Sequence, residues 1–267
     1  MFSLTYRAPA IGRKLLFLPL IIGMLIAGLS PLTATNASDD LQTGLLVPAF
    51  AAFLGLFHWL QTADSEIDNL DLAVVLGIGA LFVIPSYQGG WILLFMLSVY
   101  LMLRQRDSIE GLQVLTLAAL HQPIMTYALK LFTAPVLSMD AMMIAALLNV
   151  TTGAGSYAGN LVTGPADHQL LILKGCSSLS NLGIAWLAWF AISRYRGIKL
   201  NRNMWMTMLL ITLLTLALNL TRLYGMALSI EWHEWWHSDA GETTYQMVLS
   251  GLLLFSILLG LKHESDR

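Results

Sequence analysis

Residues 204–228 read MWMTMLLITLLTLALNLTRLYGMAL, an apolar run that contains a single charge, Arg222. About 20 apolar residues cross the roughly 30 Å hydrocarbon core of a bilayer as a helix. Because the run is long and lacks the alternation of a β-strand, it predicts a membrane-spanning helix. A guanidinium inside such a helix is energetically costly, which favours a functional reason for its presence.

The composition of the whole chain extends this prediction. Of the 267 residues, 57% are hydrophobic and only 11% are charged. We predict an all-α integral membrane protein, a single multi-pass domain over residues 1–267 with about eight transmembrane helices. The predicted spans are residues 14–33, 43–61, 71–87, 89–103, 111–134, 176–194, 204–228 and 244–262. Spans three and four are short and share the turn Tyr87-Gln88-Gly89-Gly90, so we expect a helical hairpin there.

Lysine and arginine predict the orientation of these spans. Eleven of the fourteen basic residues lie at the two termini, after span four, or between spans six and seven. Eight spans put these places on one side, which the positive-inside rule makes cytoplasmic. We therefore predict a protein of the cytoplasmic (inner) membrane with both termini cytoplasmic. Alternatively, Arg13-Lys14, the apolar residues 15–29 and residues 34–37 fit a cleaved signal peptide, which would leave seven spans.

Residues 135–175 are predicted to lie on the outer face, outside the spans. Residues 138–149 are apolar and rich in methionine, so we expect an interfacial helix. The β-prone residues 160–163 and 169–173 surround a Gly164-Pro165 turn, which predicts a small β-hairpin before the sixth helix. That hairpin would deliver the chain to Lys174-Gly175-Cys176 at the membrane surface.

Cys176, Arg222 and His237 are the residue types of a cysteine nucleophile, a charge stabiliser and a base. Cys176 is the only cysteine, which excludes an internal disulfide and any cysteine-based zinc cluster. It begins an inward-running span, Arg222 lies near the outer end of the returning span, and His237 is in the loop that follows. All three are therefore predicted at the outer face. Asn219, one turn from Arg222, would orient it or bridge helices.

The chemistry of such a set follows from its parts. A thiolate attacks a peptide carbonyl and forms a thioester, which an amine, another nucleophile or water releases. A helix N-terminus, Lys174 and a nearby imidazolium would each favour the thiolate. His237 would take the thiol proton and return one to the leaving amine. Arg222 would hold the oxyanion or the substrate backbone, and no cofactor or metal is required.

Other interpretations remain open. His233-Glu234-Trp235-Trp236-His237 matches His-Glu-x-x-His, in which two imidazoles bind zinc and the glutamate activates water. Zinc needs a third protein ligand, and Asp239 and Glu242 would have to fold back sharply to supply it. A non-enzymatic transporter or assembly scaffold is a further alternative, although the spans carry few charges that would mark an ion path. The net charge of −2 gives no indication of nucleic-acid binding.

Several of these residues also have structural explanations. Arg222 would pair with Glu231 or extend its charge to the membrane surface. The tryptophans at 232, 235 and 236 fit an interfacial aromatic belt as well as a substrate wall. The histidines without a partner pattern, predicted to be structural or solvated, are His58, His121, His168 and His263.

Three short motifs resemble the signature of exosortases and archaeosortases. They are Gly175-Cys176-Ser177-Ser178-Leu179, Asn219-Leu220-Thr221-Arg222 and His237-Ser238-Asp239-Ala240-Gly241. The resemblance covers roughly residues 120–260, and the family usually has a glycine where this chain has Ser178. It implies a cysteine-dependent membrane protease and transpeptidase. The implied catalytic residues are Cys176, Arg222 and His237, with Asn219, Ser177, Lys174 and Gly241 in support.

The same resemblance implies the partners. Substrates would be exported proteins with a C-terminal tag, made of a short and often Pro-Glu-Pro-like motif, a transmembrane helix and a basic cluster. The enzyme would cut near the motif at the outer leaflet and pass the protein to a surface acceptor. Membrane lipid is the other implied partner.

Overall fold

The computed structural model describes residues 12–30, 39–62, 66–83, 86–105, 109–198 and 201–265. Nine α-helices and three short strands make up this part of the chain. The helices are α1 (Arg13–Leu29), α2 (Asp39–Gln61), α3 (Asn69–Phe82), α4 (Tyr87–Arg104), α5 (Ile109–Thr152), α6 (Ser178–Tyr195), α7 (Arg202–Leu228), α8 (Ile230–His237) and α9 (Asp239–Ser265). The strands are β1 (Ser156–Ala158), β2 (Leu161–Thr163) and β3 (Gln169–Leu171). The chain divides into two compact units, Met1–Pro123 and Ile124–Arg267.

The predicted helical architecture with a small β element is confirmed. Within the residues that the structure describes, three stretches are long and apolar enough to cross a membrane, namely Lys130–Thr152, Arg202–Leu228 and Asp239–Lys262. Shorter apolar helices cover Leu46–Gln61, Asn69–Phe82 and Gln88–Arg104. The count of eight spans and the single domain stay predictions.

In the N-terminal unit, charged side chains hold several helix ends together. Arg13 at the start of α1 donates two hydrogen bonds, of 2.9 and 2.8 Å, to Oδ2 of the buried Asp71 at the start of α3. Tyr100 near the end of α4 donates to Oδ1 of the same carboxylate at 2.7 Å. Lys14 donates to the carbonyl of Leu60 at the end of α2, at 3.1 Å. The start of α1, the end of α2, the start of α3 and the end of α4 therefore lie near one another.

The hairpin of predicted spans three and four is present as α3 and α4, which pack against each other. Tyr87–Gly90, predicted as the turn of this hairpin, instead form the first turn of α4. Ser86 explains the difference: its Oγ accepts a hydrogen bond from the amide of Gly89 at 3.2 Å. A serine cap of this kind satisfies a free amide and fixes the helix start.

The C-terminal unit is arranged around α7, which packs against α6, α8, α9 and β3. The end of α7 contributes Leu223, Met226 and Ala227 to an apolar cluster. The second half of α5 and the region of β2 and β3 supply the other members of this cluster. Cys176 and Trp236 pack against it, so sequence neighbours of Arg222 and His237 lie around the same apolar cluster as Cys176.

Helix α5 differs from the prediction. Residues 138–149, predicted as a separate interfacial helix, continue the fifth predicted span in one helix of 44 residues. The helix continues through Pro123 and Pro135 and ends just before Gly153, which has φ +72°. That left-handed conformation favours glycine and is a common way to end a helix. The stretch outside the spans that was expected from residue 135 therefore begins only after α5 ends.

The predicted hairpin is confirmed and extended. Strands β2 and β3 pair antiparallel, with Val162 opposite Leu170. A third strand, β1, pairs antiparallel with β2 and gives the sheet the order β1-β2-β3. Gly164 follows β2, and a Cβ at this position would overlap the carbonyl oxygen of Ala227 in α7. The glycine thus allows the β2–β3 turn to lie directly against the end of α7.

Candidate active site

Cys176 lies in a single 3-10 turn, Lys174–Cys176, directly ahead of α6. Ser177 caps α6, since its buried Oγ accepts a hydrogen bond from the amide of Leu179 at 3.2 Å. The cysteine is therefore beside a helix N-terminus, where the dipole favours a thiolate. Its side chain is half-buried, and Lys174 is exposed.

Asn219 connects the cysteine turn to three helices. Its Nδ2 donates to the carbonyl of Cys176 at 3.1 Å and to Oγ of Ser178 at 3.0 Å. Its Oδ1 accepts from Asn181 in α6 at 3.1 Å and from Tyr245 in α9 at 3.2 Å. Of the two roles considered for Asn219, these hydrogen bonds are those of a residue that bridges helices.

Arg222 is held by an aromatic ring. It is only 8% exposed, and its Cζ lies 4.6 Å from the centroid of the Tyr245 ring, a cation–π contact. Its Nε has no hydrogen-bond partner among the described residues, and Arg222 belongs to neither of the ion pairs Arg13–Asp71 and Arg104–Asp68. Glu231, the expected alternative partner, is exposed and accepts from Ser229 at 3.1 Å. Arg222 is thus a buried cation suited to a negative charge that a bound molecule brings or develops.

His237 is the last residue of α8, where a loop was predicted. Its ring centroid lies 4.8 Å from that of His233, one turn earlier in the helix. The ring of His168, from the β2–β3 turn, lies 5.9 Å from His233, and its Nε2 is 3.0 Å from the carbonyl oxygen of Met226. His168, to which the sequence analysis assigned no partner, therefore completes a row of three imidazoles.

For the zinc alternative, His233 and His237 both lie in α8, as the His-Glu-x-x-His motif requires. Within residues 12–265, apart from the short gaps given above, no three histidine, cysteine, aspartate or glutamate side chains are placed to hold a metal ion. Asp239 and Glu242, the other ligands considered, lie in the first turn of α9. The motif thus lacks an assembled set of ligands in this part of the chain.

Gly241 explains the spacing of the His-x-x-x-Gly motif. A Cβ at this position would overlap the carbonyl oxygen of Trp235 and lie 2.8 Å from the Cα of Trp236. Between the two helices, Oγ of Ser238 donates to the carbonyl of Trp235 at 2.6 Å and accepts from the amide of Gly241 at 3.2 Å. The glycine and the serine fix the corner between α8 and α9, and hence the position of His237.

The histidine row predicts a pH dependence of stability. Burial lowers the pKa of His233 below 6.5, the neighbouring His237 and His168 lower it further, and Glu234 opposes them. As the pH falls through 6.5, the unfolded chain therefore binds a proton that the folded chain resists, and stability is lost. We expect the melting temperature in detergent to fall between about pH 7.5 and pH 5.5, and to fall less in His233→Gln. Equal falls in wild type, His233→Gln and the control His58→Gln would contradict this assignment.

Comparisons of the chain with models of known protein families, with curated protein sequences and with solved structures give no match. The resemblance to exosortases therefore rests on the three sequence motifs. Asn219 of the second motif contacts Cys176 and Ser178 of the first, and Gly241 of the third shapes the corner that carries His237.

Three residues of the site were not found by sequence reasoning: Asp140, Asn181 and Tyr245. Asp140 carried a signal, because it is the only acidic residue between Glu110 and Asp167 and lies in an apolar segment. Its carboxylate accepts hydrogen bonds from Ser178 at 3.2 Å through the amide and at 2.8 Å through Oγ. No sequence pattern pointed to Asn181 or Tyr245, since an asparagine or a tyrosine near a helix end is common.

Proposed function

We propose that this chain is a membrane cysteine transpeptidase of the exosortase type. Cys176 is the nucleophile, His237 the base and Arg222 the stabiliser of developing negative charge. The observation that supports this function most is the docking of one motif on another. Asn219 holds the carbonyl of Cys176, while Arg222, one turn further along α7, is buried without an anion among the described residues.

The reaction follows from these groups. His237 takes the thiol proton, and the Cys176 sulfur bonds to the scissile carbonyl carbon, whose oxygen gains the charge that Arg222 offsets. The carbon–nitrogen bond breaks as His237 returns the proton to the leaving amine, which leaves a thioester. An acceptor amine then attacks the thioester, loses its proton to His237, and releases the cysteine thiolate. Water in place of the amine would give hydrolysis.

The proposed setting is the inner membrane, crossed by eight helices, with both termini cytoplasmic and the site on the outer face. One support is the placement of basic residues in the sequence. The other comes from the N-terminal unit, where the start of α1, the end of α2 and the start of α3 meet through Arg13, Lys14 and Asp71. These are helix ends that the eight-span arrangement assigns to the cytoplasmic side.

The proposed substrates are exported proteins that carry the C-terminal motif, transmembrane helix and basic cluster. A substrate helix in the same membrane would present its motif at the outer leaflet, at the level proposed for Cys176. The acceptor is a nucleophile at the cell surface. A membrane zinc protease and a non-enzymatic scaffold are the alternatives that the experiments below separate.

The deciding experiment is to trap the thioester. The purified protein is incubated with a tagged substrate, quenched in acid and digested. The mass of the peptide that contains Cys176 is then measured by mass spectrometry. We expect an acyl adduct that hydroxylamine releases and that Cys176→Ala never forms. Processing of the substrate by the wild type without any adduct under these conditions would refute the cysteine mechanism.

The two histidines of α8 are expected to differ in importance. His237→Ala should lower cleavage by on the order of 10²-fold or more, because the base is lost. His233→Ala and Glu234→Gln should keep substantial activity, since neither residue takes part in the proton transfers. Initial cleavage rates at matched expression provide the measurement.

A zinc site predicts the opposite pattern. There, all three substitutions are severe, because each removes a ligand or the base, and a chelator abolishes activity. Loss of activity in Glu234→Gln at normal expression would therefore favour the metalloprotease.

A further inference from the structure

We propose that Asp140 is a positioning residue for Cys176 and acts through Ser178, an inference that rests on the proposed role of Cys176. Asp140 lies in α5 and is 5% exposed, and Ser178 is the first residue of α6 and 4% exposed. Both carboxylate oxygens bind the same residue: Oδ2 accepts from the amide of Ser178 at 3.2 Å and Oδ1 from its Oγ at 2.8 Å.

The direction of these bonds connects Asp140 to the nucleophile. A serine hydroxyl has one hydrogen, and Ser178 gives it to Asp140, so the remaining lone pairs accept from Nδ2 of Asn219. The second hydrogen of that Nδ2 goes to the carbonyl of Cys176. Asp140 therefore orients Ser178, Ser178 helps to orient Asn219, and Asn219 fixes the turn that carries the thiol.

The same chain of bonds reaches the charge stabiliser. Oδ1 of Asn219 accepts from the hydroxyl of Tyr245, whose ring lies against Arg222. A displacement of Asn219 would thus move the cysteine turn and disturb the support of the guanidinium together. Asp140 contacts neither reacting group in this arrangement, which makes its role one of positioning rather than catalysis.

Burial of Asp140 calls for an explanation other than simple stability. A buried carboxylate without a cation is costly. Neither of the ion pairs Arg13–Asp71 and Arg104–Asp68 includes Asp140, whose carboxylate is bound by Ser178 instead. An apolar residue at 140 would continue the apolar helix without that cost. The carboxylate instead supplies two acceptors at the start of α6, directly beside the cysteine turn.

Ser178 is the residue at which this chain departs from the glycine of the resembled family. A glycine at position 178 would keep the hydrogen bond from its backbone amide to Asp140. It would lose the two hydrogen bonds that the serine hydroxyl makes, one to Asp140 and one from Asn219. Asp140 and Ser178 are therefore expected to act as a pair in this protein, and substitutions of the two should not be additive.

The sole cysteine gives a direct readout that requires no substrate. We would measure the rate at which iodoacetamide alkylates Cys176 in the full-length protein in detergent, from about pH 6 to pH 10, since only the thiolate reacts. The variants are Asp140→Asn, Asp140→Ala and Ser178→Ala. The matched control is Asp167→Asn, an exposed acid of the β2–β3 turn.

We expect the three variants to shift the midpoint of the alkylation profile and to change the maximal rate by about tenfold, since the helix terminus and Asn219 no longer hold the thiol in place. In cleavage assays they should lose on the order of 10²-fold in kcat with little change in KM, the signature of misplaced reacting atoms. Asp167→Asn should match the wild type in both assays. The double variant Asp140→Ala/Ser178→Ala should be no worse than the poorer single variant.

The proposal would be overturned if Asp140→Asn and Ser178→Ala kept both the alkylation profile and the kcat of the wild type. This holds whether or not Asp140→Ala folds. Fully additive losses in the double variant would also overturn it. The two proposals fail separately. If the wild type cleaves no tagged protein and the variants still shift alkylation, the proposed function fails and the positioning of Cys176 stands.

Discussion

Cys176→Ala is expected to abolish processing of tagged proteins while the variant accumulates in the membrane at the wild-type level. Loss of a catalytic nucleophile lowers turnover by on the order of 10⁵-fold or more. Alanine keeps the small apolar side chain that packs against the cluster of α5, α7 and the sheet, so we expect normal folding. The measurement is the ratio of processed to unprocessed substrate at matched enzyme levels.

Two controls make this result specific. Cys176 is the only cysteine, so a thiol-alkylating reagent should inactivate the wild type by modifying this residue alone. Cys176→Ser keeps a nucleophile of similar size but with a much higher pKa, and we expect it to be nearly as inactive as alanine. Full activity of the alanine variant would end the cysteine hypothesis.

Arg222→Lys is expected to fold normally and to lose on the order of 10²-fold or more in turnover, the scale of a lost oxyanion donor. A guanidinium is planar, stacks on an aromatic ring and offers two parallel donors, and an ammonium does none of these. Arg222 already lies over the Tyr245 ring, with its Cζ 4.6 Å from the ring centroid. Initial rates at saturating substrate provide the measurement.

The matched control for this substitution is Arg202→Lys, an exposed arginine at the start of the same helix. It should retain wild-type turnover, because its charge is solvated. Near-normal processing by Arg222→Lys would remove Arg222 from the catalytic residues and leave at most a Cys176–His237 pair.

The sequence predicted the parts of this fold that depend on apolar periodicity and turn chemistry. The run 204–228 became α7 with nearly the same bounds, and the β-prone residues around Gly164-Pro165 became β2 and β3. Helix ends were less accurate where a side chain decides them. Ser86 caps α4 and starts it before the glycines. Helix α5 continues to Gly153, and this was not predicted because an apolar sequence looks the same in a membrane span and in an interfacial helix.

The candidate site was predictable only where its chemistry requires a rare residue. A lone cysteine and a lone arginine in an apolar helix are conspicuous, whereas Asn181 and Tyr245 are ordinary residues that matter because of what they contact. The contact of His168 with His233 depends on how the β2–β3 turn lies against α7. Contacts of this kind join residues far apart in sequence, and no local pattern encodes them.

The saturated amide of Asn219 has a consequence for how this sequence can change. A side-chain amide has two N–H donors and one carbonyl oxygen with two lone pairs, and Asn219 uses all four. The carbonyl of Cys176 is purely an acceptor, so the amide has one permitted orientation. Aspartate, the product of deamidation, would turn both donors into acceptors, and glutamine is one methylene too long for the same four partners. A substitution at position 219 alone would therefore break these hydrogen bonds. We expect related sequences either to keep Asn219 or to change it together with Ser178, Asn181 and Tyr245.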